Sequence, residues 1–174
     1  VFAVLGEAYL LLGRPADALA AAERELQLAA ELYGADSEVA ARAHAKAGEA
    51  LVALHQPDEA EARFLAAQAL LARIADADAD AAGFVLKGIG QARLVRGDAA
   101  GAAQALRQAS AVWATTSSDF REVADTQWCL AAALDLLGER DAAEARRAAA
   151  LRFYARFGEA GRRRPVELAG WLRP

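Results

Sequence analysis

The sequence predicts an all-α fold: an α-solenoid of about four tandem antiparallel helix hairpins in a right-handed superhelix, followed by a short C-terminal capping helix. Three observations predict it. Alanine fills 50 of the 174 positions, and alanine is the best helix former, with a side chain small enough to draw packed helices together. Small residues recur at a long period: Gly6, Gly48 and Gly90 are 42 apart, and Ala131 follows after 41. Turn residues keep the same phase, as Gly13, His55, Gly97 and Gly138.

The elements follow in order. A first helix over about 1–12 carries Gly6 on its apolar stripe and breaks at Gly13-Arg14-Pro15. Pro15 and Pro57 suit the first position of helices over about 15–33 and 57–74, where a missing N–H costs nothing. A helix over 37–54 precedes Pro57, and "RIADADADAA" (73–82) leads into a helix over 79–96. Asp98 is a candidate N-cap for a helix over 98–114. Asp119 with Glu122, and Asp141 with Glu144, have capping-box spacing for helices over 119–137 and 140–157. "FGEAGRRRPVELAGWLRP" then offers Gly158 as a C-cap and a ninth helix over about 165–172, with Val166, Leu168, Trp171 and Leu172 on its apolar side.

Two further columns support the register. Ala8, Ala50, Ala92 and Ala133 follow the crossing residues by two, and Ala18, Ala60, Ala102 and Ala143 follow the turns by five. A third reads Glu25, Ala67, Ala109 and Ala150. One hairpin cannot bury its apolar face, so hairpins of this kind stack. The array is expected over 1–157, divided at about 1–35, 36–78, 79–118 and 119–157, with a tail over 158–174.

Bulk properties bound the function. Net charge is −4 with a pI near 5.3, and the one dense basic run is Arg162 to Arg164, so this segment is not expected to bind nucleic acid. Cys129 is a lone cysteine, which excludes an intramolecular disulfide and fits a reducing, cytoplasmic setting. No apolar run is long enough to span a bilayer. The excess of alanine and of arginine over lysine has two readings, packing or the base composition of a genome. Val1 falls part-way into an apolar helical pattern, which suggests one module of a longer chain. Phe2, Leu5 and Tyr9 then lack an upstream neighbour, so that end is expected either to self-associate or to follow further repeats.

Catalytic and cofactor chemistry finds little support. His44 and His55 lack partners at metal-ligand spacing, and Cys129 has no nearby histidine in sequence. "GIGQARLVRG" (88–97) contains Gly-x-Gly inside a helix rather than after a strand, so Gly88 and Gly90 are read as helix-crossing residues instead of a phosphate loop. "ADADAD" (75–80) lacks the glycine and distal glutamate of a calcium loop. No cofactor, no metal and no enzymatic activity are expected.

The pattern Leu5-Gly6-x-x-Tyr9 with Gly13 and Ala18 resembles the tetratricopeptide repeat. So do Gly48-x-x-Leu51 with Ala60, Phe64 and Ala67, Ile89-Gly90 with Gly97, Ala102 and Ala109, and Leu130-Ala131-x-x-Leu134 with Gly138, Ala143 and Ala150. The usual period is about 34; the longer one here resembles the kinesin-light-chain variety, also found in bacterial signalling proteins. Arg93 and Arg96 depart from the pattern, because their columns are apolar in the other repeats. Either their stems snorkel or the third hairpin is locally shifted.

The resemblance implies that the first helix of each hairpin lines a concave face where a peptide or partner domain lies. By column, that face carries Glu7, Glu49, Gln91 and Ala132, then Leu10, Val52, Leu94 and Asp135. Ala3, Ala45, Lys87 and Trp128 form a third column, with Arg42, Phe84 and Asp125 one turn earlier. The expected partner-binding residues are Glu7, Leu10, Arg42, Glu49, Val52, Lys87, Gln91, Leu94, Asp125, Trp128 and Asp135. A column reading Glu, Glu, Gln, Ala disfavours the carboxylate clamp of chaperone-binding members, since acids repel acids at short range. The functional expectation is a non-catalytic interaction scaffold. Its alternative is a regulatory sensor module of a larger bacterial transcriptional regulator or signalling ATPase or kinase.

Overall fold

Gly13, His55, Gly97 and Gly138 all adopt left-handed backbone angles, with φ of 67°, 57°, 88° and 79°, and each reverses the chain between two helices. His55 therefore does what glycine does in the other repeats. The computed structural model describes residues 2–116 and 120–172. These form α1 (Phe2–Leu11), α2 (Pro15–Tyr33), α3 (Glu38–Ala53), α4 (Pro57–Leu71), α5 (Ala79–Arg96), α6 (Ala99–Trp113), α7 (Phe120–Leu136), α8 (Arg140–Tyr154), a 3₁₀ turn (Ala155–Phe157) and α9 (Gly158–Trp171). Among the described residues there is no strand.

Helix starts follow the expected chemistry at most junctions. Pro15 and Pro57 open α2 and α4. The Asp98 carboxylate accepts from the Gly101 N–H at 2.9 Å, and the Ser37 hydroxyl and Asp78 carboxylate cap α3 and α5 in the same way. At α8 the expectation fails: Glu139 holds the cap position without a side-chain bond, which puts Asp141 and Glu144 inside the helix. The Asp119 half of the other capping pair, and the side chains of Phe2 and Ala3, lie outside the described residues.

Each helix packs on the next, and the odd-numbered helices also touch in series, α1 on α3, α3 on α5, α5 on α7 and α7 on α9. Even-numbered helices are set farther apart, so the stack curves with its odd helices inside. The curvature is enough for Arg121 at the start of α7 to reach Glu7 on α1, at 2.9 Å.

Small residues make this packing possible. Ala18, Ala60, Ala102 and Ala143 are buried in all four hairpins, as are Ala67, Ala109 and Ala150. At Gly48 an added Cβ would meet the Phe64 ring at 2.7 Å, and at Gly90 it would meet Leu106 at 2.5 Å. Gly83 is closed in the same way by Trp113. Gly6 differs, with nothing nearer than the Ala18 carbonyl at 3.9 Å. The first crossing is thus looser than those that follow.

Arg93 and Arg96 need no shift of the third hairpin. Arg93 Nε donates to Glu61 Oε1 at 2.7 Å and Arg96 Nη1 to Glu61 Oε2 at 2.5 Å, tying α5 to α4. Arg93 also reaches the Gly101 carbonyl at 3.2 Å. Two arginines in otherwise apolar columns are answered by one nearly buried glutamate.

The last helix departs most from expectation. The eighth helix stops at Tyr154, and Gly158, at φ 60°, starts a ninth of 14 residues that begins seven residues before the expected start. Pro165 lies inside α9 rather than at its start, where it gives up one ladder hydrogen bond. Leu168 is fully buried against Ala124, Ala150 and Tyr154. Trp171 and Leu172 pack against the core shared by α3, α4 and α5. α9 therefore lies against the inner layer of the stack.

Candidate functional site

The inner helices bring a chain of charges together. Lys87 on α5 is completely buried. Its ammonium donates to Glu122 Oε2 at 2.5 Å, sits 3.5 Å from Glu49 Oε1, and lies 4.3 Å from the centre of the Phe84 ring. A lysine in such a place is expelled unless carboxylates surround it. Arg121 joins Glu122 at 3.2 Å to Glu7. Farther along the groove, Asp125 is also fully buried and holds three donors. Arg164 Nε and Nη2 reach Oδ2 at 2.9 and 2.5 Å, and the Tyr154 hydroxyl donates to Oδ1 at 2.7 Å.

Burial opposes the charge on Lys87, but Glu122, Glu49 and Asp125 outweigh it and raise its pKa well above the ordinary lysine value. Glu122 is depressed: burial pushes it up, and Lys87 and Arg121 pull it down further. Glu49 goes the other way, raised by burial that its longer contact with Lys87 does not offset. Of the two carboxylates that face Lys87, Glu49 is the readier to take a proton. Burial and the Asp125 charge push the Tyr154 phenol up, so it stays a donor.

Neither the buried amine nor the buried thiol of this arrangement is poised as a nucleophile. Lys87 is kept as an ammonium, which is not nucleophilic. Burial, reinforced by Asp125, pushes the Cys129 thiol up to about 12, while Gln91 donates weakly to its sulfur at 3.6 Å; a thiol held protonated is inert. Among the described residues no three His, Cys, Asp or Glu side chains converge as a metal site, and no helix is long and apolar enough to cross a membrane.

Two open volumes flank the charges. One, of about 160 Å³, lies among Glu7, Leu10, Glu49, Phe84, Arg121 and Trp171. The other, of about 310 Å³, lies among Arg42, Lys46, Leu71, Phe84, Val85 and Trp113.

The expected binding residues divide accordingly. Glu7, Leu10, Arg42 and Glu49 line these volumes, and Lys87 and Asp125 form the buried charges beneath. Val52 and Leu94 do not face the groove as expected: they are 1% and 4% exposed, within the helix-packing core. Alanine-rich neighbours let the helices close over these positions, so the column extends inward rather than outward. Gln91 is likewise buried, on Cys129. Trp128 packs edge-on against Tyr154 with centroids 6.5 Å apart. Asp135 pairs with Arg147 at a separate site on α7 and α8.

Sequence reasoning missed Lys46 and Arg121, read Glu122 only as a capping residue and Trp171 only as part of a capping face, and read Arg164 only as part of a basic run. The available signal was spacing: Arg164, Leu168, Trp171 and Leu172 fall on one helical face once Pro165 is allowed inside the helix. Of the run, Arg162 and Arg163 are exposed, whereas Arg164 turns inward to Asp125.

No family model and no curated protein sequence matches the chain. Among solved structures it is similar to BtubC (BKLC) from P. vanneervenii, with a TM-score of 0.71 and 20% identity over 91% of this chain. It spans 63% of the length of BtubC. A kinesin light chain with nearly identical TPR-like repeats, from Podosopora anserina, aligns at a TM-score of 0.40 and 16% identity, over 91% of this chain and 95% of that one. With its stacked hairpins, recurrent glycine turns and inner layer of odd helices, the chain has the fold of a tetratricopeptide-like repeat array.

Proposed function

We propose that the chain is a non-catalytic interaction scaffold that takes a peptide or partner segment in the groove of the odd-numbered helices. The observation that carries this reading is the juxtaposition of apolar walls (Leu10, Phe84 and Trp171) with exposed-to-buried carboxylates (Glu7, Glu49) around open volume. Affinity would come mainly from apolar burial at roughly 25 cal/mol per Å², and the charges would select the partner.

A second reading is favoured by α9: a helix seated in the groove suits a sensor module whose signal displaces it. In that reading the array regulates a neighbouring domain of a larger signalling or regulatory protein, in the bacterial cytoplasm.

The test is capture of partners from a lysate on the immobilised chain, followed by calorimetry with the purified partner. Glu49→Lys is expected to weaken a basic partner several-fold and remove its salt dependence. Arg107→Ala, on the outer helix α6, should leave the affinity unchanged. A partner sensitive to Arg107 and indifferent to Glu49 would place binding on the convex side and end the reading.

A further inference from the structure

We infer that the groove recognises an amphipathic helix presenting arginine, leucine, tryptophan and leucine at the spacing of Arg164, Leu168, Trp171 and Leu172, and that α9 is a displaceable occupant of that site within the chain itself. The inference rests on the scaffold reading above and names the partner's chemistry.

Each anchor has a complement. Arg164 directs two N–H groups to one oxygen of Asp125, and its guanidinium lies 5.0 Å from the centre of the Trp171 ring. Leu168 is completely buried between α7 and α8. Trp171 walls the cavity shared with Glu7, Leu10 and Glu49. The intervals of four, three and one residues put all four side chains on one face, with Arg162, Arg163, Val166 and Glu167 exposed on the others.

Asp125 makes the site specific. It is fully buried, and Tyr154 satisfies only one of its oxygens. Removing Arg164 leaves the buried Asp125 carboxylate with the Tyr154 hydroxyl as its bonded donor and only the more distant Lys87 charge, which is unfavourable. Whatever replaces α9 must therefore bring a cation. Arginine fits better than lysine, because the site uses two N–H groups and a planar face stacked near an indole.

α9 is also built to leave. Gly158, Gly161 and Gly170 together with Pro165 occupy four of its fourteen residues, and these are the poorest helix formers. It joins α8 through a 3₁₀ turn and a left-handed glycine, a natural hinge. Its helical form depends on the groove more than on its own composition.

The probe is a fluorescein-labelled peptide with the sequence of residues 158–174, titrated by anisotropy into the full 174-residue chain. Wild type should bind weakly, because its own α9 holds the site. Arg164→Ala in the chain loosens that helix and should raise peptide affinity tenfold or more. Adding Asp125→Asn to that variant, or replacing the arginine in the peptide, should remove the gain. A folded Arg164→Ala chain with no gain, or a gain indifferent to Asp125, overturns the inference.

Should Arg164→Ala fail to fold, amide exchange on the wild type decides: α9 amides should exchange at least a hundredfold faster than those of α7, and equal rates overturn the proposal. A captured partner that responds to Glu49→Lys but not to Arg164→Ala leaves the scaffold reading standing and sinks this one. Binding confined to the outer helices sinks both.

Discussion

The ring of Phe64 on α4 is seated on Gly48 of its own hairpin and on Gly88 of the next, so that a methyl group at either glycine would enter the ring. One side chain thus keys two repeats together. Gly48→Leu is expected to cost ~2–3 kcal/mol by overpacking, and Gly88→Ala ~1–3 kcal/mol. Phe64→Leu combined with Gly88→Ala should recover part of the second loss. Gly6→Ala should be neutral or stabilising by up to ~1 kcal/mol, since its crossing is open and alanine is the better helix former. Urea midpoints at constant m-value measure all four; a destabilised Gly6→Ala beside an unaffected Gly88→Ala would invert the packing order.

Local chemistry made these crossings legible in the sequence. A glycine recurring at 42-residue intervals, and a histidine standing for a turn glycine, each mark a requirement set within a single hairpin. The charged groove was less legible because its pairs join positions far apart in the chain: Arg164 with Asp125, Arg121 with Glu7, and Lys87 with Glu122. The longest miss, the start of α9, came from giving Pro165 its commonest role. Seven residues of helix precede it, because burial of Leu168 and the Arg164–Asp125 pair outweigh one lost hydrogen bond.

Glu61 gives a sharper test of repeat coupling. It is nearly buried and accepts from both Arg93 and Arg96, the latter about a third exposed. Glu61→Ala is expected to cost about 1.5–3 kcal/mol, the range for hydrogen bonds to charged groups, with solvent around Arg96 keeping it toward the lower end. Glu61→Gln, which retains an acceptor, should cost less. Equal losses in the two variants would mean that shape rather than hydrogen bonding holds α4 to α5.

Cys129 predicts the alkaline limb of stability. Its pKa is raised from 9.0 to about 12 in the folded chain, first by burial and then by Asp125. Above pH 9 the unfolded chain releases this proton while the folded chain keeps it, so stability falls as pH rises from 9 toward 12. Cys129→Ser should flatten that fall between pH 9 and 10, below the range in which the Tyr154 phenol contributes. Thiol labelling of the wild type at pH 8 should proceed only as fast as the protein opens. Rapid labelling of the folded chain would show that the Cys129 sulfur is not sealed.

Lys87 makes the most demanding prediction, because removing it changes the charge state of its neighbours. In the wild type it holds Glu122 below the ordinary glutamate value despite burial. Lys87→Met keeps a similar volume and deletes the ammonium, leaving Glu122 and Glu49 facing each other and Phe84 without it. The loss at pH 8 should be about 3–5 kcal/mol, the usual result of breaking a buried pair on one side. Both carboxylates then have folded-state pKa values raised by burial and mutual repulsion. A raised acid is stabilised by protonation, so the variant recovers as pH falls from 8 toward 5. Glu122 in the wild type has the opposite sign and loses its contribution as pH falls through its depressed value. The difference between the two proteins should therefore narrow steadily with acidification, measured by urea unfolding at each pH. A gap constant from pH 8 to 5 would show that the groove carboxylates keep their charge without Lys87, and that Arg121 and Arg164 alone suffice to hold them.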